Sequence, residues 1–247
     1  MPTFLTEVRE TLVPERNAPF GPLPPLLVAM TVVTGLVDAF SYLLLGHVFV
    51  ANMTGNVVFL GFAVAGAQGF SIGASVVALV AFGLGSVLGG RIVQRFGSHR
   101  GHHVAIASAT QVLLLAVSVA LALAGTHPFG SGVRYALIVF LALAMGVQNS
   151  SVRRLAVPDL TTTVLTLTVT GIGADSALGG GKGSKSGRRL VSVLAMFLGA
   201  LAGAALILHV RVALPLILAL AIVAAVAAAS HWSGRSNPAW TQVEGSD

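Results

Sequence analysis

Asp38 stands inside an apolar run, in Gly35-Leu-Val-Asp-Ala-Phe-Ser-Tyr42. A carboxylate in that setting is suited to relaying a proton, holding a cation or standing opposite a charged solute. The structural alternative is an acid held by hydrogen bonds from nearby Thr or Asn. A second polar island follows at Ala51-Asn-Met-Thr-Gly-Asn-Val57. Asn52, Thr54, Gly55 and Asn56 offer amides, a hydroxyl and, where a helix begins, backbone N–H groups whose dipole favours an anion or a carboxylate. The plainer reading is a cap that closes a helix break and packs tightly. Downstream, Gln148 and Asn149 lie in another apolar run, where amides either line a polar passage or join helices by hydrogen bonds. Thr163, Thr166 and Thr170 recur at spacings of three and four, which puts them on one face of a helix. Threonines so placed either line a passage or bond their own i−4 carbonyls.

No catalytic constellation accompanies these residues. The chain has no Ser-His-Asp arrangement, no paired buried carboxylates and no His-Glu-x-x-His helix, which argues against an enzyme. It has no cysteine, which removes disulfides, thiolate chemistry and cysteine metal sites. His99, His102 and His103 form a cluster beside Arg95 and Arg100, but no acid or Cys completes a metal site; it reads as a cytoplasmic loop. No cofactor or metal is expected. Lys182, Lys185, Arg188 and Arg189 stand among Gly and Ser without the Walker spacing, and read as an orientation signal in contact with anionic lipid. His47 reads as an interfacial residue.

The elements that must position this chemistry belong to a membrane. Of 247 residues, 55% are hydrophobic and 9% charged, against about 25% charged in a soluble domain. The mean hydropathy is +0.90. The net charge of +6 sits in short loops, where it reports orientation and not a nucleic-acid surface. Residues 1–24 are polar and read as a cytoplasmic arm, and the tail 231–247 as polar and loose. The membrane domain between them, 25–230, contains six spans, about 25–46, 71–93, 103–125, 133–152, 189–210 and 213–230. Two further stretches, 48–68 and 160–178, either span or enter and leave on one side.

Charge distinguishes the two topologies. If all eight stretches span, eight basic residues fall on one side and six on the other, which gives no orientation. If the two short stretches re-enter, twelve basic residues share one side, against Arg134 and Arg211 on the other. The second count is the one the positive-inside rule expects, and puts both termini in the cytoplasm. The fold class read from sequence is therefore an all-α polytopic membrane protein with six transmembrane helices and two re-entrant or broken segments. The alternative is eight spans.

The halves echo each other. Gly35-Leu-Val-Asp38 aligns with Gly146-Val-Gln-Asn149 at an offset of 111, and Gly85 and Gly89 with Gly199 and Gly203 at 114. Both glycine pairs are Gly-x-x-x-Gly, which lets helices approach closely. Repeats of about 25–125 and 133–230, with three spans each, would be inverted, and their re-entrant helices would meet near the midplane. With eight spans the repeats would be parallel.

The Asp38 motif, Phe49-Val-Ala-Asn-Met-Thr-Gly-Asn56, Gly146-Val-Gln-Asn149 and the Thr161-Thr162-Thr163 run together resemble the YoaK-like family of bacterial multi-pass membrane proteins, a domain of unknown function. The resemblance covers roughly 25–230 and implies a bacterial inner-membrane location. The second half departs from it, with Thr166-Leu-Thr168 where a second Thr-Gly-Asn would stand. The function expected from the residues is a small-solute permease, working with a proton or cation and built around Asp38 and the 52–56 helix start. The alternative is a non-transporting module that binds a partner protein or a lipid through its small-residue helix faces; a homo-oligomer is a further candidate partner. Nucleic acid is not an expected partner.

Overall fold

The architecture comes from a computed structural model, which describes residues 4–15, 18–158, 160, 162, 165–174, 186–235 and 239–242. The described residues form nine α-helices and a short 3-10 turn at Ala239–Thr241, and no strand. In order these are α1 (Phe4–Leu12), α2 (Leu23–Leu44), α3 (Met53–Val64), α4 (Ile72–Phe96), α5 (Arg100–Ala124), α6 (Ser131–Leu155), α7 (Leu165–Ala174), α8 (Ser186–His209) and α9 (Leu214–Gly234). Six of them, α2, α4, α5, α6, α8 and α9, are long and apolar enough to cross a bilayer. They coincide with the six stretches read from sequence. Helix α3 has 12 residues and α7 has 10, so they rise only about 18 and 15 Å, short of a hydrocarbon core of about 30 Å.

The long helices alternate in direction. At one end Gly187 N–H, near the start of α8, donates to Glu7 Oε2 at 3.0 Å, and Arg188 Nη1 donates to Pro158 O beyond α6 at 3.3 Å. Gly101 of α5 faces Gly234 of α9 at this same end. At the other end Gly73 of α4 faces Tyr135 of α6. Both terminal segments lie at the first end, with Arg9, Arg91, Arg95, Arg100, Arg153, Arg154, Arg188, Arg189 and Arg235, while Arg134 and Arg211 lie at the other. Arg16, Lys182 and Lys185 fall outside the described residues.

The segment after α2 returns to where it left. Gly46 (φ +95) and His47 (φ +54) reverse the chain, and His47 Nδ1 lies 2.8 Å from Gly69 O. Rings of Tyr42, Phe49, Phe59, Phe62 and Phe70 cluster over this reversal. The 48–68 stretch therefore enters and leaves by the same end of α2.

The interior is organised by glycine. Gly35 of α2 lies against Met196 and Ala200 of α8, where an added Cβ would stand 2.6 Å from Ala200 N; Gly199 in turn lies against Val32. Gly203 abuts Leu36 and Ala39 of α2. The second pair has the same form: Gly146 of α6 lies against Phe82, Gly85 and Ser86 of α4, and Gly85 and Gly89 lie against Leu143 and Val147 of α6. Small residues let these backbones touch, and in lipid such packing substitutes for the hydrophobic effect. Helix α2 thus pairs with α8, α4 with α6, and α5 with α9.

One expectation needs correcting. The described residues of the tail from His231 are not loose. Helix α9 continues to Gly234, and Ala239–Thr241 folds back so that the Trp240 ring, 7% exposed, covers Gly21. Polar composition hid one large apolar ring, which joins Leu23, Leu27 and Val226 in a cluster. The N-terminal arm is also docked, through α1 on α8.

Candidate functional site

The site is built outward from Asp38, buried at 3% exposure. Its Oδ1 accepts hydrogen bonds from the backbone N–H groups of Val50 (3.0 Å) and Ala51 (2.9 Å), and its Oδ2 accepts from Asn52 Nδ2. Residues 50–52 are not helical and have no carbonyls one turn back to bond. In a bilayer such donors must be satisfied internally. A carboxylate with acceptor sites on both oxygens meets that need where a neutral side chain would meet less of it. This matches the structural reading of Asp38, an acid held by the segment that follows it.

Asn56 closes the same break from the other side. Its Oδ1 accepts from Phe49 N–H at 2.9 Å and its Nδ2 donates to Phe49 O at 2.6 Å, so one amide pairs with both groups of one residue. Gly55 is needed here because a Cβ would stand 2.7 Å from the Phe49 ring. Asn52 occupies the N-cap position of α3 but makes no side-chain cap bond, since its amide is engaged by Asp38. The first turn of α3 therefore has no side-chain cap; Gly55 N–H donates to Asn52 O at 3.2 Å, and the N–H groups of Met53 and Thr54 have no partner inside the helix.

That uncapped turn opens onto a cavity of about 820 Å³. Asn52, Met53, Thr54 and Gly55 form one wall, Asn149 and Ser150 of α6 another, and Thr162 and Thr166 a third. Phe82 and Ser86 of α4 contribute between them. The starts of the two short helices thus face one space, and the cavity follows α6 from Asn149 to Arg153, Ala156 and Val157 at the bundle end that holds the termini.

Several sequence-named residues stand elsewhere. Asp38 and Asn56 lie behind the wall and not on it. Gln148 points away from its neighbour Asn149, into the core, where Nε2 donates to Thr34 Oγ1 at 2.9 Å and Oε1 accepts from Gln111 Nε2 at 2.7 Å. It joins α2, α5 and α6. Thr163 lies outside the described residues, and Thr170 is exposed. The His cluster is divided: His99 accepts from His102 N–H at the start of α5, while His103 is buried. Gly85, Gly89, Gly199 and Gly203 all face inward, so the glycine faces are occupied within the chain.

Sequence reading missed Gln111, Arg153 and Ser86, and named Thr162 only within the Thr161-Thr162-Thr163 run. Gln111 had a signal, as an amide isolated in an apolar run. Arg153 had none beyond its charge, because an arginine near a helix end marks a side of the membrane without revealing what it faces.

Six spans, two short helices that begin inside the bundle and a cavity where they meet define a polytopic helical membrane protein. The chain belongs to the family described as "Protein of unknown function (DUF1275)", which matches residues 26–229. It is also 30% identical over 145 residues to the UPF0700 transmembrane protein YoaK of Bacillus subtilis (strain 168), covering 58% of this chain and 63% of that protein. The match thus spans less than two thirds of that relative. No solved structure matches the chain.

Proposed function

We propose that the protein is a small-solute permease of the bacterial cytoplasmic membrane, passing its solute between two inverted halves without chemical change. The observation that carries this reading is the convergence of Asn52–Gly55, Asn149 and Thr166 on one cavity of about 820 Å³. Broken helices whose starts meet at a repeat interface are a recurring way to build a transport site. The paired seams support the inversion. Offsets of 111 and 114 exchange Gly35 with Gly146 and Gly85 with Gly199, and the contact of Gly35 with Gly199 exchanges with that of Gly146 with Gly85. In this reading the arginine-rich end, with both termini, faces the cytoplasm, and the cavity reaches toward it. Asp38 holds the helix break, and Asn52, Thr54, Asn149 and Thr166 meet the solute. A proton or cation would couple here only through groups other than Asp38.

The test is uptake into reconstituted liposomes across a solute panel, comparing the native chain with Asn149→Leu and Thr54→Val. Accelerated uptake of at least one solute, slowed in both variants, is expected. A folded preparation that moves no solute faster than protein-free liposomes would end the reading.

A further inference from the structure

The charge distribution of the cavity narrows the solute. Among the described residues around it, Arg153 is the one charged side chain. Arg153 is solvent-exposed, and no described residue gives it a hydrogen bond or an ion pair. A guanidinium at a cavity wall with no carboxylate opposite it among the described residues is complementary to an anion, and best to a planar carboxylate that two N–H groups can grip.

Two features of the wall have the same sign or the same need. Asp38 holds the Asn52 amide, so α3 starts without a side-chain cap, and its first residues Met53 and Thr54 stand on the wall at the positive end of the helix dipole. The Thr162 side chain, 1% exposed and part of the wall, has a hydroxyl without a hydrogen-bond partner among the described residues. The Asp38 carboxylate is held by Val50, Ala51 and Asn52 behind the wall and is not part of the cavity surface. Between the polar groups the surface is apolar, with the rings of Phe49 and Phe82. An inorganic ion would leave those rings without contact. A molecule with one acidic group and an apolar body uses both kinds of surface.

We propose that the cavity binds a small organic anion, a monocarboxylate whose acidic group is drawn by Arg153 and the uncapped turn of α3 and whose body lies on Phe49 and Phe82. This rests on the permease reading for its biological use but not for binding itself.

The test uses the full-length protein in detergent and pairs of acids with their isosteric amides, acetate with acetamide and benzoate with benzamide, at constant ionic strength. Thermal stabilisation reports binding. At least one acid is expected to raise the unfolding temperature where its amide does not. Loss of a charge-assisted contact in Arg153→Gln should weaken that acid about tenfold or more. Arg154→Gln, one residue on and away from the wall, serves as the control and should bind as the native chain does. Equal effects of acids and amides, no effect of either, or an Arg153→Gln protein that binds acids unchanged would each overturn the assignment. Liposome uptake separates the two readings. Uptake of amides or cations in preference to acids sinks the anion assignment and leaves the permease. Binding of acids with no uptake of any solute sinks the permease and leaves the anion site.

Discussion

Replacing Asp38 by Ala removes the acceptor for the N–H groups of Val50 and Ala51, which are 0% and 3% exposed. A buried donor left unpaired costs about 1–3 kcal/mol, so the two together cost about 2–6 kcal/mol. The Asn52 amide adds little, because once released it can turn toward the cavity. In a chain of this size 1 kcal/mol corresponds to about 2–4 °C, so the unfolding temperature should fall by at least about 4 °C. Asp38→Asn behaves differently. Its Oδ1 still accepts from both backbone groups, and the donor–donor encounter with Asn52 is relieved by a flip of the Asn52 amide. It should lose less than half of what Asp38→Ala loses. Circular dichroism melts of the detergent-solubilised protein read both. If Asp38→Ala melts within about 1 °C of the native chain, the carboxylate is not holding the break. If the two variants fall equally, the charge matters and the acceptor geometry does not.

Other substitutions test the remaining supports. Gly146→Val would push a side chain into the backbone of Phe82 and Ser86, and should abolish folded protein on size-exclusion chromatography, whereas Gly83→Ala, with nothing within 4 Å, should elute unchanged. Gln148→Leu removes the link between Gln111 and Thr34 and should cost about 1–3 kcal/mol in a denaturant titration, part of it recovered in the Gln111→Leu, Gln148→Leu double variant. Because the chain has no cysteine, Gln68→Cys and Ser98→Cys report sidedness cleanly. An impermeant maleimide applied to intact cells should label the first and spare the second, and the opposite pattern would reverse the orientation.

The six long helices are legible because runs of about 20 apolar residues have one common solution in a bilayer. The re-entrant stretch is legible in part, since Val48-Phe49-Val50 starts a helix poorly and Thr-Gly-Asn interrupts one. What Asp38 does is not legible. A carboxylate in an apolar run looks the same whether it meets a solute or two backbone N–H groups. The difference is made by the reversal at Gly46 and His47, which brings Val50 back beside it. The same holds for neighbours on α6: Gln148 and Asn149 are adjacent in sequence, but helical geometry turns one into the core and the other onto the cavity.

The crossed seams bear on how the chain is assembled. Synthesis places α2 in the bilayer long before α8 exists, yet the Gly35 face of α2 packs on the Gly199 face of α8. The Gly85 face of α4 waits a shorter time, until α6 arrives with Gly146. The first three spans must therefore remain in lipid as a loose set, with α2 held in reserve until nearly the whole chain has been inserted. A gene cut in the loop between α5 and α6 would yield two fragments, neither able to complete a seam alone. They should persist in cells only when both are made together.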